Sequence, residues 1–130
     1  MGVGSPEDIV EAVARGIDLF DCVLPTRMAR NHAALTRKGR LNLRNARFAK
    51  DPRPIEGGCT CYTCMSFSRA YLRHLIVAQE ILAATLLSIH NLHMLITLMM
   101  DLREAIATGT LDRFVEAFRM NYHKHRPKGI

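Results

Sequence analysis

Apolar residues recur at helical spacing near the start of the chain, where Ile9, Val10, Val13 and Ala14 fall on one face. Ser5-Pro6-Glu7-Asp8 ahead of them reads as a helix start. Ser suits the N-cap, Pro the first helical position, and the acids the positive end of the helix dipole. Gly16 reads as the residue that ends this helix. The pattern then changes to Ile17 to Leu24, a short, mostly apolar run stopped by Pro25, which predicts a buried strand. A helix, a tight turn and a buried strand make one unit of an α/β protein. Leu35-Thr36 and Leu41-Asn42-Leu43 flank Arg37-Lys38-Gly39-Arg40 and predict a small hairpin with Gly39 in the turn. From about residue 66 onward the period is helical, with helices predicted at about Phe67 to Val77, Gln79 to Ser88, Asn91 to Thr108 and Leu111 to Tyr122. Gly109 divides the last two, and a loose tail is expected from His123 to Ile130.

Composition narrows the class. The 130 residues suit one domain at most, and 48% apolar with 23% charged is ordinary globular usage. The net charge of +6 favours a polyanionic partner without naming it, and is equally compatible with plain solubility. The excess is concentrated between Thr26 and Arg53, where Asp51 is the single acid. Ile81 to Met100 carries no charge and is about as long as a bilayer span. Its centre reads Ser88-Ile89-His90-Asn91-Leu92-His93, and two imidazoles and an amide at mid-bilayer depth are costly. A buried helix pair in a soluble protein is the better reading, with no membrane partner. The start shows neither a basic nor an apolar leader region, so the four Cys point to metal binding or core thiols rather than a disulfide scaffold.

Cys59, Cys61 and Cys64 form C-x-C-x-x-C behind Gly57 and Gly58. The spacing lets three thiolates converge on one ion, and structural zinc wants four soft or borderline ligands in a closed tetrahedron. Cys22, His74, His90 and His93 are candidates for the fourth. Cys22 lies in an apolar run and suits a core thiol. His90 is preferred because it lies at the expected break between helices, where a ring can point back to the knuckle. One structural Zn2+ per chain is expected. A redox pair at Cys61 and Cys64 is the rival, but it leaves Cys59 unexplained. Three reduced surface thiols or an iron–sulfur cluster fit less well.

Asp18 and Asp21 sit within an apolar run, where a carboxylate costs free energy unless it is paired or used. Asp21 lies near the predicted strand's C-terminal end, the end at which active sites of parallel α/β folds collect. It reads either as a catalytic group or as the ion-pair partner of Arg27 or Arg30.

Phe20-Asp21-Cys22-Val23-Leu24-Pro25-Thr26-Arg27, Arg30-Asn31, Cys59-Thr60-Cys61-Tyr62-Thr63-Cys64, Ser68-Arg69-Ala70-Tyr71 and His90-Asn91 together resemble the tRNA-guanine transglycosylases, also called queuine tRNA-ribosyltransferases, most nearly the bacterial form. The resemblance runs through essentially the whole chain. It implies an α/β fold, the C-terminal third of a (β/α)₈ TIM barrel with an inserted zinc-binding subdomain. A closed barrel needs about 250 residues, so this chain would hold only its end. Residues 1–25 would be the last strands and the helix between them, and 26–130 the basic hairpin, zinc subdomain and C-terminal helices. The implied activity exchanges guanine at the tRNA wobble position for a 7-deazaguanine through a covalent Asp–ribose intermediate. The implied roles are Asp21 as nucleophile, Met1 and Gly2 beside the base pocket, Arg27 and Arg30 on RNA, and Cys59, Cys61, Cys64 and His90 on zinc. The implied partners are the anticodon loop of tRNA, the 7-deazaguanine base and a second copy of the chain, in the cytoplasm. The family's second catalytic Asp and its base-reading residues would lie upstream of Met1, so the segment alone is expected to be inactive. The alternative is a zinc-stapled tRNA-binding or oligomerisation module with no activity of its own.

Overall fold

Helix α1 (Pro6–Ala14) starts as the sequence directs: the Ser5 side chain accepts from the Asp8 N–H at 3.2 Å, and Pro6 opens the first turn. It ends in a Schellman motif, with Gly16 at φ +94° and the Ile17 N–H reaching back to the Ala12 carbonyl. The protein was studied as a computed structural model, whose described residues are 2–124.

The strand expected at Ile17 to Leu24 is absent. Residues 17–22 form no ladder hydrogen bonds, and Leu19 is 89% exposed and Ile17 49%. An apolar run becomes a strand only where neighbouring strands take up its backbone groups, and the described residues place none on either edge. Leu24 and Pro25 belong instead to α2 (Leu24–Arg30), which Pro25 helps to start rather than stop.

The hairpin is present: β1 (Ala33–Thr36) pairs antiparallel with β2 (Gly39–Asn42), Thr36 facing Gly39. The turn is Arg37-Lys38, and Gly39, at φ +136°, is the first residue of the returning strand. A single 3₁₀ turn (Ala46–Phe48) and a long loop lead to α3 (Tyr62–Ser66) and α4 (Arg69–Val77). Residues 67–124 are mostly helical, as expected. However, the two helices predicted on either side of His90 are one, α5 (Leu82–Ala107). His90 and Asn91, which suggested a break there, are buried and find partners within the protein. A second Schellman turn at Gly109 separates α5 from α6 (Leu111–Lys124). The loose tail was expected from His123, but α6 includes His123 and Lys124, and residues 125–130 lie outside the described residues.

Two main clusters bury the apolar residues. One packs Leu43, Phe48, Ile55, Cys61, Cys64, Leu72, Leu86 and Leu87 around the knuckle. The other packs Ile9, Val10 and Val13 of α1 against Leu98 and Leu102 of α5 and Val115, Phe118 and Tyr122 of α6. Arg119 donates to Glu11 across this contact at 2.5 and 2.8 Å. Helix α5 passes through both clusters. It is long and apolar enough to cross a membrane by composition alone, yet His90 and Asn91 at its middle are fully buried and bonded inside the protein.

Candidate metal centre

Cys59, Cys61, Cys64 and His90 offer donor atoms that all lie within 4.8 Å of one another. Local folding explains how. Cys61 is the N-cap of α3, and its Sγ accepts the Cys64 N–H at 3.3 Å, so the one-turn helix brings Cys64 back beside Cys61. The buried Thr63 hydroxyl, between them, donates to the Leu86 carbonyl at 2.6 Å and fastens this turn to α5. His90 enters from α5, one turn further along.

The separations fit a tetrahedral zinc. With Zn–S of about 2.3 Å and Zn–N of about 2.0 Å, tetrahedral angles put sulfur and nitrogen about 3.5 Å apart. His90 Nδ1 stands 3.7 Å from Cys59 Sγ, 3.6 Å from Cys61 Sγ and 3.3 Å from Cys64 Sγ. The ring's other nitrogen, Nε2, is 2.8 Å from the Leu35 carbonyl oxygen and so carries the proton. That fixes the tautomer with the Nδ1 lone pair facing the sulfurs, the usual outer partner of a ligating imidazole. Burial pushes the Cys59 and Cys64 thiols up and the His90 imidazole down. Such a site favours the neutral imidazole that a metal needs, while the thiols ionise readily only against a cation. The donor set therefore fits a structural metal of zinc's softness, which when bound cross-links the knuckle to α5. His90 is the fourth ligand expected from the sequence, although the reason given there, a helix break, does not hold.

The other candidate ligands are elsewhere. His74 is exposed on α4 beside the Tyr71 ring, and His93 Nε2 lies 3.3 Å from the Thr60 hydroxyl. Cys22 accepts the Leu24 N–H at 3.2 Å, and its thiol donates weakly to the Gly2 carbonyl at 3.8 Å.

Sequence reasoning missed what holds the centre in place. The Asn91 carboxamide donates to the carbonyls of Pro25 and Ala33 at 2.9 and 3.1 Å, and accepts the Leu35 N–H at 2.8 Å. It thereby ties α5 to the start of α2 and to β1. Asp51 is a second hidden anchor: Arg53 grips its carboxylate with two bonds and Arg69 adds a third. Arg69 also donates to the carbonyls of Pro54 and Ile55, closing the loop that leads to the knuckle. The sequence signal for Asn91 was an amide in the middle of an uncharged helix.

Asp21 and Gly2 are brought together: the Gly2 N–H donates to Asp21 Oδ1 at 3.2 Å. Asp21 is exposed, at the edge of an open apolar pocket of about 380 Å³ lined by Val3, Ala12, Ile17, Leu19 and Phe20. Among the described residues it forms no ion pair with Arg27 or Arg30, both of which are exposed on α2. Met1 lies outside the described residues.

Comparison with known proteins shows the family. The family model described as queuine tRNA-ribosyltransferase matches residues 1–124. Proteins named queuine tRNA-ribosyltransferase are similar along nearly the whole chain. That of Syntrophobacter fumaroxidans is 52% identical over 98% of the chain, and that of Symbiobacterium thermophilum 54% over 95%. That of Acidithiobacillus ferrooxidans is 58% identical over 91%. The match takes in 34%, 31% and 32% of those three proteins, so the chain spans about a third of their length.

Proposed function

The chain belongs to the queuine tRNA-ribosyltransferase family, and from that premise we propose that it is the C-terminal segment of a tRNA-guanine transglycosylase, a pentosyltransferase. Residues 1–25 then close the end of a (β/α)₈ barrel, and 26–130 hold the hairpin, the zinc subdomain and the C-terminal helices. The complete enzyme exchanges guanine at the tRNA wobble position for a 7-deazaguanine. It works in the cytoplasm.

In this reading an Asp21 carboxylate oxygen attacks C1′ of the ribose. The bond from C1′ to guanine breaks, guanine leaves with the bonding electrons and takes up a proton, and a glycosyl ester of Asp21 remains. A ring nitrogen of the incoming base then attacks C1′, loses its proton, and releases the carboxylate. An Asp suits both halves, being ionised near neutral pH and a competent leaving group from an anomeric carbon. Gly2, with Met1 before it, borders the base pocket, and its N–H orients the carboxylate. Arg27 and Arg30 hold the RNA.

The observation that carries this reading is the state of Asp21 within a chain of this family. Its carboxylate is exposed and held by one backbone N–H, with no cation upon it among the described residues. A carboxylate locked in an ion pair would be the weaker nucleophile. The exposed Ile17, Leu19 and Val23 around it suit burial against neighbouring barrel strands. Exposed Leu92, Ile96 and Met100 lie along one side of α5 and suit a homo-oligomer contact.

The test is Asp21→Asn in the complete enzyme. The amide keeps the shape but neither attacks nor leaves as a carboxylate does, so the covalent tRNA adduct should vanish while stem-loop affinity persists. An Asn variant that still forms the adduct moves the nucleophile to another residue.

A further inference from the structure

Helix α2 carries Arg27 and Arg30 three positions apart, both exposed, while Pro25, Met28 and Ala29 are buried. It has only seven residues, and no side chain caps its start. A helix this short does not hold itself in water, so its place is set by what it packs against. Part of that hold is apolar: Met28 shares a small cluster with Ala33, Leu35 and Met94.

The polar part is one amide. Asn91 Nδ2 donates to the Pro25 carbonyl, in the first turn of α2, and to the Ala33 carbonyl, three positions past its last residue. A single side-chain nitrogen thus spans α2 from end to end. Between those two anchors the chain turns through His32 at φ +67°, a conformation that strains a residue with a Cβ. Such a turn persists where its flanks are held. Asp21 is held by other means. Its carboxylate accepts the Gly2 N–H, and the neighbouring Cys22 takes the Leu24 N–H and packs against Gly4. None of these contacts involves α5.

We propose that Asn91 is a positioning residue for RNA binding: it fixes α2, and with it Arg27 and Arg30, while leaving the placement of Asp21 to residues 2–4. The proposal rests on the tRNA-acting reading above. Asn91 is fully buried and touches no substrate. It acts by holding two guanidinium groups as a fixed pair, so that little ordering is needed when RNA arrives. Without the amide, α2 is free to tilt on α5 and the pair is no longer preset. Affinity for RNA then suffers and the chemistry of the bound RNA does not.

The experiment uses the complete zinc-loaded enzyme and an anticodon stem-loop RNA. The variants are Asn91→Ala, and Asn91→Ser as the milder change should the first fail to fold. Arg27→Gln with Arg30→Gln is made with and without Asn91→Ser. Leu98→Ala controls for lost stability alone, since Leu98 is fully buried on the same helix but in the other cluster. Zinc content and the amount of adduct at saturating RNA count the folded enzyme. The Asn91 variants should lose stem-loop affinity by about tenfold or more, the sensitivity of groups displaced by up to an ångström. Adduct should form at the normal rate once RNA saturates. Leu98→Ala should lower the denaturant midpoint and leave affinity unchanged. In the absence of both arginines, Asn91→Ser should cost little further affinity, because coupled sites are not additive. Unchanged affinity in the Asn91 variants overturns the proposal and leaves the functional reading standing. So does an equal loss in Leu98→Ala, or full additivity with the arginine changes, either of which makes the role merely structural. Slower adduct formation at saturating RNA with normal affinity moves the influence of Asn91 to Asp21 and also overturns it. If the unaltered enzyme neither binds the stem-loop nor forms adduct, both the proposal and the reading fall.

Discussion

His90 and Leu35 share a hydrogen bond from the imidazole Nε2–H to the backbone carbonyl, at 2.8 Å. It crosses from α5 to β1, and the next side chain, Asn91, takes up the N–H of the same Leu35 at 2.8 Å. Two successive residues of α5 therefore occupy both backbone groups of one strand residue. The strand cannot slide along the helix without releasing the ring that faces the thiols. The hairpin's position and the orientation of a metal ligand are thus one geometric fact, which residue spacing alone does not reveal.

The first prediction concerns the metal. Purified protein should hold about one zinc per chain, bound by three sulfurs and one nitrogen as read by X-ray absorption. His90→Ala should lower zinc affinity by at least about a hundredfold, more than the roughly 10- to 100-fold typical of losing an outer partner. Chelation should also loosen the cluster built on Cys61, Cys64, Leu72 and Leu86, because the knuckle joins that cluster. Full zinc affinity in His90→Ala would place the fourth ligand elsewhere.

Asn91→Ala should destabilise the protein by about 3 kcal/mol, because the Leu35 N–H and the carbonyls of Pro25 and Ala33 lose their partner in a dry interior. Asn91→Asp should not rescue it. The acid can still accept from Leu35, but it turns oxygens towards two carbonyls and buries a charge. Urea unfolding of the zinc-loaded protein reads this difference. Wild-type stability in the Asp variant would mean that the amide's donor bonds contribute nothing.

These residues also show what a sequence can and cannot convey. Ser5 and Pro6, Gly16 and Gly109 mark helix ends through chemistry acting within a few residues, and the structure follows them. The three cysteines converge because their spacing is local too. The apolar run at Ile17 to Leu24 carries a strand's composition, but a strand needs neighbours, and none pairs with it among the described residues. The polar residues around His90 looked like a break because their partners, Leu35, Pro25 and Ala33, lie more than fifty residues away in the chain. A 26-residue helix with an inward polar waist reads as two helices until those partners are seen.

Acid should erode the stability that Asp51 contributes to the loop of residues 51–57. Arg53 first, and Arg69 with it, hold the Asp51 carboxyl well below the usual carboxylate range. A depressed folded-state pKa contributes stability that is complete above the unfolded value of about 3.9 and is lost as pH falls through the folded one. The stability gap between the protein and Asp51→Asn should therefore be constant from about pH 7 to pH 5 and shrink below about pH 4. Denaturant midpoints measured across that range check it. A gap that stays constant down to about pH 3 would show that the ion pairs do not hold Asp51 ionised.

The tight packing near the candidate nucleophile gives the last prediction. Gly4 is buried against Cys22, and a Cβ added at Gly4 would overlap both Cβ and Sγ of Cys22. Residues 2–4 and 21–22 are otherwise joined by the Gly2 N–H on Asp21 and the Cys22 thiol near the Gly2 carbonyl. Gly4→Ala must push these segments apart, and the Gly2–Asp21 bond lies in the part that moves. In the complete enzyme, covalent adduct formation should fall by about tenfold or more, the usual sensitivity of a reacting group displaced by a fraction of an ångström to an ångström. Zinc content should hold, since the metal ligands are elsewhere. Cys22→Ala should not restore the loss, because its Cβ remains in the way, whereas Cys22→Gly removes the overlapping atoms and should restore much of it. If Gly4→Ala forms adduct at the normal rate, the packing of residues 2–4 on Cys22 does not position Asp21.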